Sequence, residues 1–190
     1  MEGDAERVKR AAREVGRQVG GKTGDKIKEI EQQIRARGGV PKDAFGLDDS
    51  MVEALYGHAY QLYSNGHYRK ALSFFRLLVQ LNATEAKYTM GQAACYHMMK
   101  DYRKAATTYS MCGLLDPENP IPHFHSSDCY LQLGDKLSAI VALEMALKRA
   151  GDKPHYRTLK ERSQMTLQTL KDELQQKQVA PRPPSIAKKS

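Results

Sequence analysis

The stretch YRKALSFF at residues 68–75 returns 34 positions later as YRKAATTY at 102–109, and again, more diverged, as KLSAIVAL at 136–143. Three marks carry the repeat. Tyr68, Ala71 and Phe75 become Tyr102, Ala105 and Tyr109, then Lys136, Ala139 and Leu143. A fixed period of this kind means one structural unit copied along the chain, so it outranks local propensity in setting the fold. Outward from these marks, Ala59, Ala93 and Ser127 hold one small-residue place at the same offset; Gly66 and Gly134 hold a turn, with Lys100 the exception. Ser50 with Glu53 reads as a capping box, Asp101 and Asp135 suit N-caps, and Asp116-Pro117 closes the second unit. Each unit is therefore a helical hairpin.

A hairpin with a small residue on its first helix, Ala early on its second and a large apolar group four residues on resembles the tetratricopeptide repeat. Small side chains let two helices approach, and the large group fills the gap left between hairpins. One such hairpin cannot bury its apolar face, but three stacked ones can if the ends are covered. The expected fold is all-α: three stacked hairpins over 49–153, at about 52–85, 86–119 and 120–153, with a capping helix over 154–178 and additional N-terminal helix or helices. Leu159, Leu167, Leu170 and Leu174 give the cap its apolar stripe. Residues 179–190, with Pro181, Pro183, Pro184, Lys188 and Lys189, read as a disordered basic tail. Residues 1–48 lie outside the repeat. Val8, Ala11, Ala12, Val15 and Val19 make one weak stripe and Ile27, Ile30 and Ile34 another, with Gly20, Gly21 and Gly24 between, so this is a helical or flexible extension and a candidate dimerisation segment.

Of the 190 residues 41% are apolar and 27% charged, yet the longest apolar run, Ala139 to Leu143, falls far short of the roughly 20 residues a membrane span needs. The first 20 residues carry Arg7, Lys9, Arg10, Arg13 and Arg17 and leave no room for a secretory signal, so a cytosolic protein is expected. Cys95, Cys112 and Cys129 form an odd set with no CxxC pair, which favours reduced, partly buried thiols over disulfides. The net charge of +8 is uneven: residues 1–50 hold 11 basic and 10 acidic groups, 51–147 hold 8 and 8, and 148–190 hold 11 and 4. The excess sits in the C-terminal fifth, not on the repeats, so no nucleic-acid partner is expected.

Gly16 to Thr23, GRQVGGKT, matches the phosphate-binding pattern G-x-x-x-x-G-K-[ST]. A working loop of this kind follows a buried strand and opens a helix. Here Glu6 to Glu14 are charged and helix-forming, which makes a linker the better reading. His123, His125, Asp128 and Cys129 are the densest set of metal-ligand types, but a helix brings only two or three of them to one side, whereas structural zinc wants four. Ser126 and Ser127 lie in no nucleophile elbow. No metal, cofactor or enzymatic activity is expected.

The informative constellation is a stripe. In stacked hairpins the first helices line one shared side, so residues at spacings of three and four face a common groove. These are Glu53, Tyr56, Tyr60 and Tyr63 in the first unit; Lys87, Met90, Ala94 and His97 in the second; Ile121, Phe124, Asp128 and Leu131 in the third. Ordinary core is the alternative for any one Tyr or Met, but the positions on the 34-residue set already supply the core. Tyrosine offers wide contact area and a hydroxyl at little rotamer cost, which suits holding a peptide. A carboxylate clamp of Lys, Asn and Arg is missing: the corresponding places hold Tyr56, Tyr60, Gly91, Ile121 and His125.

The run Met90 to Cys95 (MGQAAC), then Asp101-Tyr102 and Ala105-Ala106, then Pro120 to Leu131 (PIPHFHSSDCYL) and Lys153-Pro154, resembles the class II chaperones of bacterial type III secretion over about residues 50–165. The resemblance implies a chaperone of the bacterial cytoplasm that receives an extended N-terminal segment of a hydrophobic translocator protein in the groove and keeps it unassembled before export. It implies groove roles for Tyr56, Tyr60, Tyr63, Met90, Ala94, His97 and Phe124. It also brings in a homodimer through N-terminal helices and a transcriptional regulator as further candidate partners, with no membrane insertion by the chaperone. A general tetratricopeptide adaptor joining two folded proteins is the alternative function, and a nucleotide-binding protein the third.

Overall fold

The computed structural model describes residues 47–179. Among them the chain is helical throughout: α1 (Asp49–Ser64), α2 (Tyr68–Leu81), α3 (Ala86–Met98), α4 (Tyr102–Leu115), α5 (Ile121–Gln132), α6 (Lys136–Ala150), a 3₁₀ turn (Pro154–Tyr156) and α7 (Arg157–Val179). Each helix packs on the next in sequence, which makes three hairpins in a row with α7 laid on the third. The N-terminal stripes, the GRQVGGKT string and the basic tail lie outside the described residues.

The hairpin turns follow from backbone conformation. Gly66 and Gly134 take φ of +78° and +75°, and Lys100, at the equivalent place, takes the same left-handed region at +61°. Asp101 and Asp135 then cap α4 and α6, accepting from the amides of Lys104 at 3.3 Å and Ser138 at 3.0 Å. The capping box at Ser50 does not form. Asp48 caps α1 instead, accepting from the Met51 amide at 2.8 Å, and Ser50 donates to that carboxylate at 2.7 Å. The charged acceptor is the stronger partner for helix N–H groups, and Glu53 is thereby free to turn towards Lys87.

The repeat marks are the packing contacts. Ala59 and Ala93 are fully buried with Ser127, and so are Ala71, Ala105 and Ala139; their small size sets the helix separation. Phe75, Tyr109 and Leu143 fill the spaces between. Cys95, Cys112 and Cys129 are unpaired and buried, and desolvation pushes their thiols up to about 12, 11 and 12. Pro120 and Pro122 open α5 from buried positions, where Asn119 accepts from the Ile121 amide at 3.0 Å. On the third hairpin Leu170 of α7 joins Ala139 and Leu143, with Leu131 and Leu167 at the edge of that cluster. Lys136 pairs with Glu173, and Lys171 with Glu144 at 2.8 Å, at the same junction. No described helix is long and apolar enough to cross a membrane.

Candidate peptide-binding site

Because the repeat is 34 residues long, the outward positions of α1, α3 and α5 form rows of equivalents: Glu53, Lys87 and Ile121; Tyr56, Met90 and Phe124; Tyr60, Ala94 and Asp128; Tyr63, His97 and Leu131. Tyr60 is 58% exposed and the others are half-buried, so these side chains are neither sealed in the core nor free of it. Tyr56 leans on Phe75 and Tyr88 with ring centres 6.1 and 5.7 Å away, and Tyr63 meets Tyr68 edge-on at 5.5 Å. Desolvation raises the Tyr56 and Tyr63 hydroxyls above their ordinary range, so each stays a neutral donor. Lys87 is held by Glu53 and lies over the rings of Tyr56 and Tyr88, 4.9 and 5.4 Å from their centres.

The third unit makes the polar end. His125 stacks on buried Tyr109 at 5.4 Å, and His97 meets both rings edge-on at 6.1 and 6.3 Å. Desolvation lowers the His125 pKa and raises that of Asp128; His125, His97 and Arg162 pull Asp128 back towards its charged form. Arg162 of α7 lies 5.3 Å over the Phe124 ring, so the cap helix contributes to this end. Phe124 and Leu131 also lean on the Leu143–Leu170 cluster, leaving only part of each open. His123 is turned the other way, close against Gly113 of α4, and Cys129 is sealed in the core; the metal-ligand string is thus divided among three environments. At Gly91 an added Cβ would lie 2.2 Å from the Phe75 ring, so that place is filled from below.

These side chains offer a broad aromatic and apolar surface with a few polar contacts and no paired acid, base and nucleophile, an arrangement suited to holding a chain. A tetratricopeptide repeat model matches residues 52–83 and 86–119. The low calcium response locus protein H of Yersinia pseudotuberculosis is 30% identical over 125 residues, 66% of this chain and 74% of that one. PcrH of Pseudomonas aeruginosa, solved in complex with the chaperone binding region of PopD, is 30% identical with a TM-score of 0.65 over 67% of this chain and 96% of that one. The chain belongs to the class II type III secretion chaperones. A further structure of this class, SycD of Yersinia enterocolitica in complex with a peptide of the translocator YopD, is 28% identical with a TM-score of 0.64, covering 66% of this chain and 96% of that one.

In this type III secretion chaperone the ten residues read from the sequence fall on the first helices as three neighbouring stripes. Four side chains that touch or adjoin these residues were not among the ten: Tyr88 beneath Tyr56 and Lys87, Tyr109 and His125 at the polar end, and Arg162 from the cap. The Glu53–Lys87 pair had a signal, since opposite charges stand at equivalent positions of successive units. Arg162 had none, because α7 is outside the period.

Proposed function

We propose that this chaperone holds an extended N-terminal segment of a hydrophobic translocator protein across the rows on α1, α3 and α5, and so keeps it unassembled in the bacterial cytoplasm before export. It works by contact area, not by chemical transformation. Tyr56, Tyr60, Tyr63, Lys87, Met90, Ala94, His97, Phe124, Asp128 and Leu131 make up the binding surface. Residues 49–153 carry it, 154–178 cap it, and 1–48 serve as an extension for dimerisation.

The reading is supported by the class membership and by PcrH and SycD, each solved with a translocator segment bound. The observation that supports it in this chain is the row Tyr60, Ala94 and Asp128, an open aromatic, a half-buried methyl and a half-buried carboxylate at equivalent places of α1, α3 and α5. A guest burying a few apolar side chains there gains about 1.5–3 kcal/mol for each. Ala94 leaves room for the guest backbone, so Ala94→Glu should abolish co-purification of a co-expressed translocator while helical content and melting stay nearly unchanged. Undiminished co-purification would reject the assignment. Pull-down from a secretion-competent bacterium separates this reading from the general adaptor, because only a chaperone of translocators requires a membrane-inserting client.

A further inference from the structure

The side of the stack opposite the tyrosine rows is formed by α2, α4 and α6, and its charge is one-sided. These helices carry Arg69, Lys70, Arg76, Arg103, Lys104, Lys136, Lys148 and Arg149 against Glu144, whereas α1, α3 and α5 carry Asp49, Glu53 and Asp128 against Lys87. Lys104 and Lys136 are neutralised by Asp101 and Glu173, and Arg149 is held by the Pro117 carbonyl, which leaves Arg69, Lys70, Arg76, Arg103 and Lys148 to set the sign. Glu144 is itself paired with Lys171. Within this basic face lies an apolar strip: Met111 and Leu114 on α4 are 56% and 79% exposed, and Leu137 and Val141 on α6 are 67% and 60% exposed. Four large apolar groups left open on neighbouring second helices mark a surface that meets something other than water.

Beside Leu137 and Val141 is a cleft of about 390 Å³, walled by Leu137, Val141 and Met145 of α6 and by Ser110 of α4, and floored by α5. The floor holds two polar atoms with nothing to bond. Ser126 is 1% exposed with an unpartnered hydroxyl, and the buried Nε2 of His123 is unpartnered as well, packed against Gly113 of α4; both residues line the cleft. Burial, aided by the nearby Arg149, holds His123 below its ordinary range, so the neutral ring can donate or accept there. A buried polar atom without a partner is costly, so the cleft suits an occupant that bonds to the Ser126 hydroxyl.

We infer that this cleft is a second docking site, which takes an acidic amphipathic helix of a partner protein. The helix lays its apolar face on Met111, Leu114, Leu137 and Val141. It seats one side chain with an apolar stem and a hydrogen-bonding tip against Ser126, and turns its acidic flanks towards Arg103 and Lys148. Open apolar side chains beside a recess are the geometry of helix-in-groove recognition. A flat anionic membrane would answer the charge but leave the recessed floor unbonded, and a second copy of the same basic face would be repelled. Since the tyrosine rows lie on the other side, both sites can be filled together.

The test uses the full chain and a panel of amphipathic helical peptides that share one apolar face and carry polar faces of all Glu, mixed charge or all Lys. The Glu peptide should bind at least about tenfold more tightly than the others, and Val141→Glu or Leu114→Glu, both at exposed positions, should each weaken it about tenfold or more. Tyr60→Ala should change it less than about twofold. A preference for the Lys peptide, undiminished binding to both variants, or methyl NMR shifts confined to α1 and α3 would overturn the site. So would flotation with phosphatidylserine vesicles, or concentration-dependent self-association, that disappears in Val141→Glu. Client co-purification tested with Ala94→Glu does not involve this face, so each reading can fail without the other.

Discussion

Gly91 of α3 lies directly against the Phe75 ring of α2. Any Cβ there would run into the Phe75 ring, and Phe75 is itself fully packed. Gly91→Ala should therefore cost about 1–3 kcal/mol in urea unfolding through overpacking. A loss below about 0.5 kcal/mol would mean that the ring swings aside freely. The buried histidines give a second expectation. Desolvation lowers His58, His123 and His125 in the folded chain, so the unfolded chain binds protons first as pH falls. Stability should drop from about pH 7 towards pH 5. Asp128 works in the opposite direction at lower pH, because its raised carboxyl takes its proton first in the folded chain. Melting temperature against pH should be flatter in His125→Gln, and an unchanged slope would show that this ring titrates normally in the fold. Single residues were unevenly legible. Asp101 and Asp135 are the caps that their sequence context predicts, but Ser50 lost its role to Asp48, a stronger acceptor two residues earlier.

Within each hairpin the turn depends on one left-handed residue. Gly66 and Gly134 adopt it without steric cost, while Lys100 carries a Cβ into the same region. Lys100→Gly should raise stability by about 0.5–1 kcal/mol in thermal or urea unfolding, the relief of strain exceeding the added freedom of the unfolded chain. Destabilisation would show that the Lys100 side chain makes a contact worth more than the strain. Between hairpins, Glu53 and Lys87 join α1 to α3, but their side chains are 46% and 36% exposed, so solvent screening limits the pair to less than about 1 kcal/mol. Its value lies in placing the lysine over Tyr56 and Tyr88. The helices and their turns were readable because capping, turn formation and small-residue spacing act over a few neighbouring residues. The exact start of α7 was not: Pro154 initiates a 3₁₀ turn, and the α-helix begins only at Arg157.

The described helices form a row in which each meets mainly its chain neighbours, so damage should spread from where it is made. Ala71 is completely enclosed in the first hairpin, and Ala71→Glu would bury a charge without a partner at a cost of more than about 3 kcal/mol, enough to unfold a marginal stack. A soluble variant with native helical content would contradict the repeat register. Leu170→Ala acts at the other end and should cost about 2–4 kcal/mol, with hydrogen exchange rising in α6 and α7 before α2. Uniform loss of protection would mean that the row unfolds as one block. What could be known from the chain alone was whatever repeats at 34: hairpin number, buried alanines, the turns and the rows of Tyr56, Tyr60 and Tyr63 with their equivalents. Periodic packing leaves a periodic trace. Arg162 over Phe124, His125 on Tyr109, and the unbonded Ser126 and His123 at the base of a cleft required the folded molecule. Each arises where side chains of different helices converge, and their separations along the chain obey no common interval.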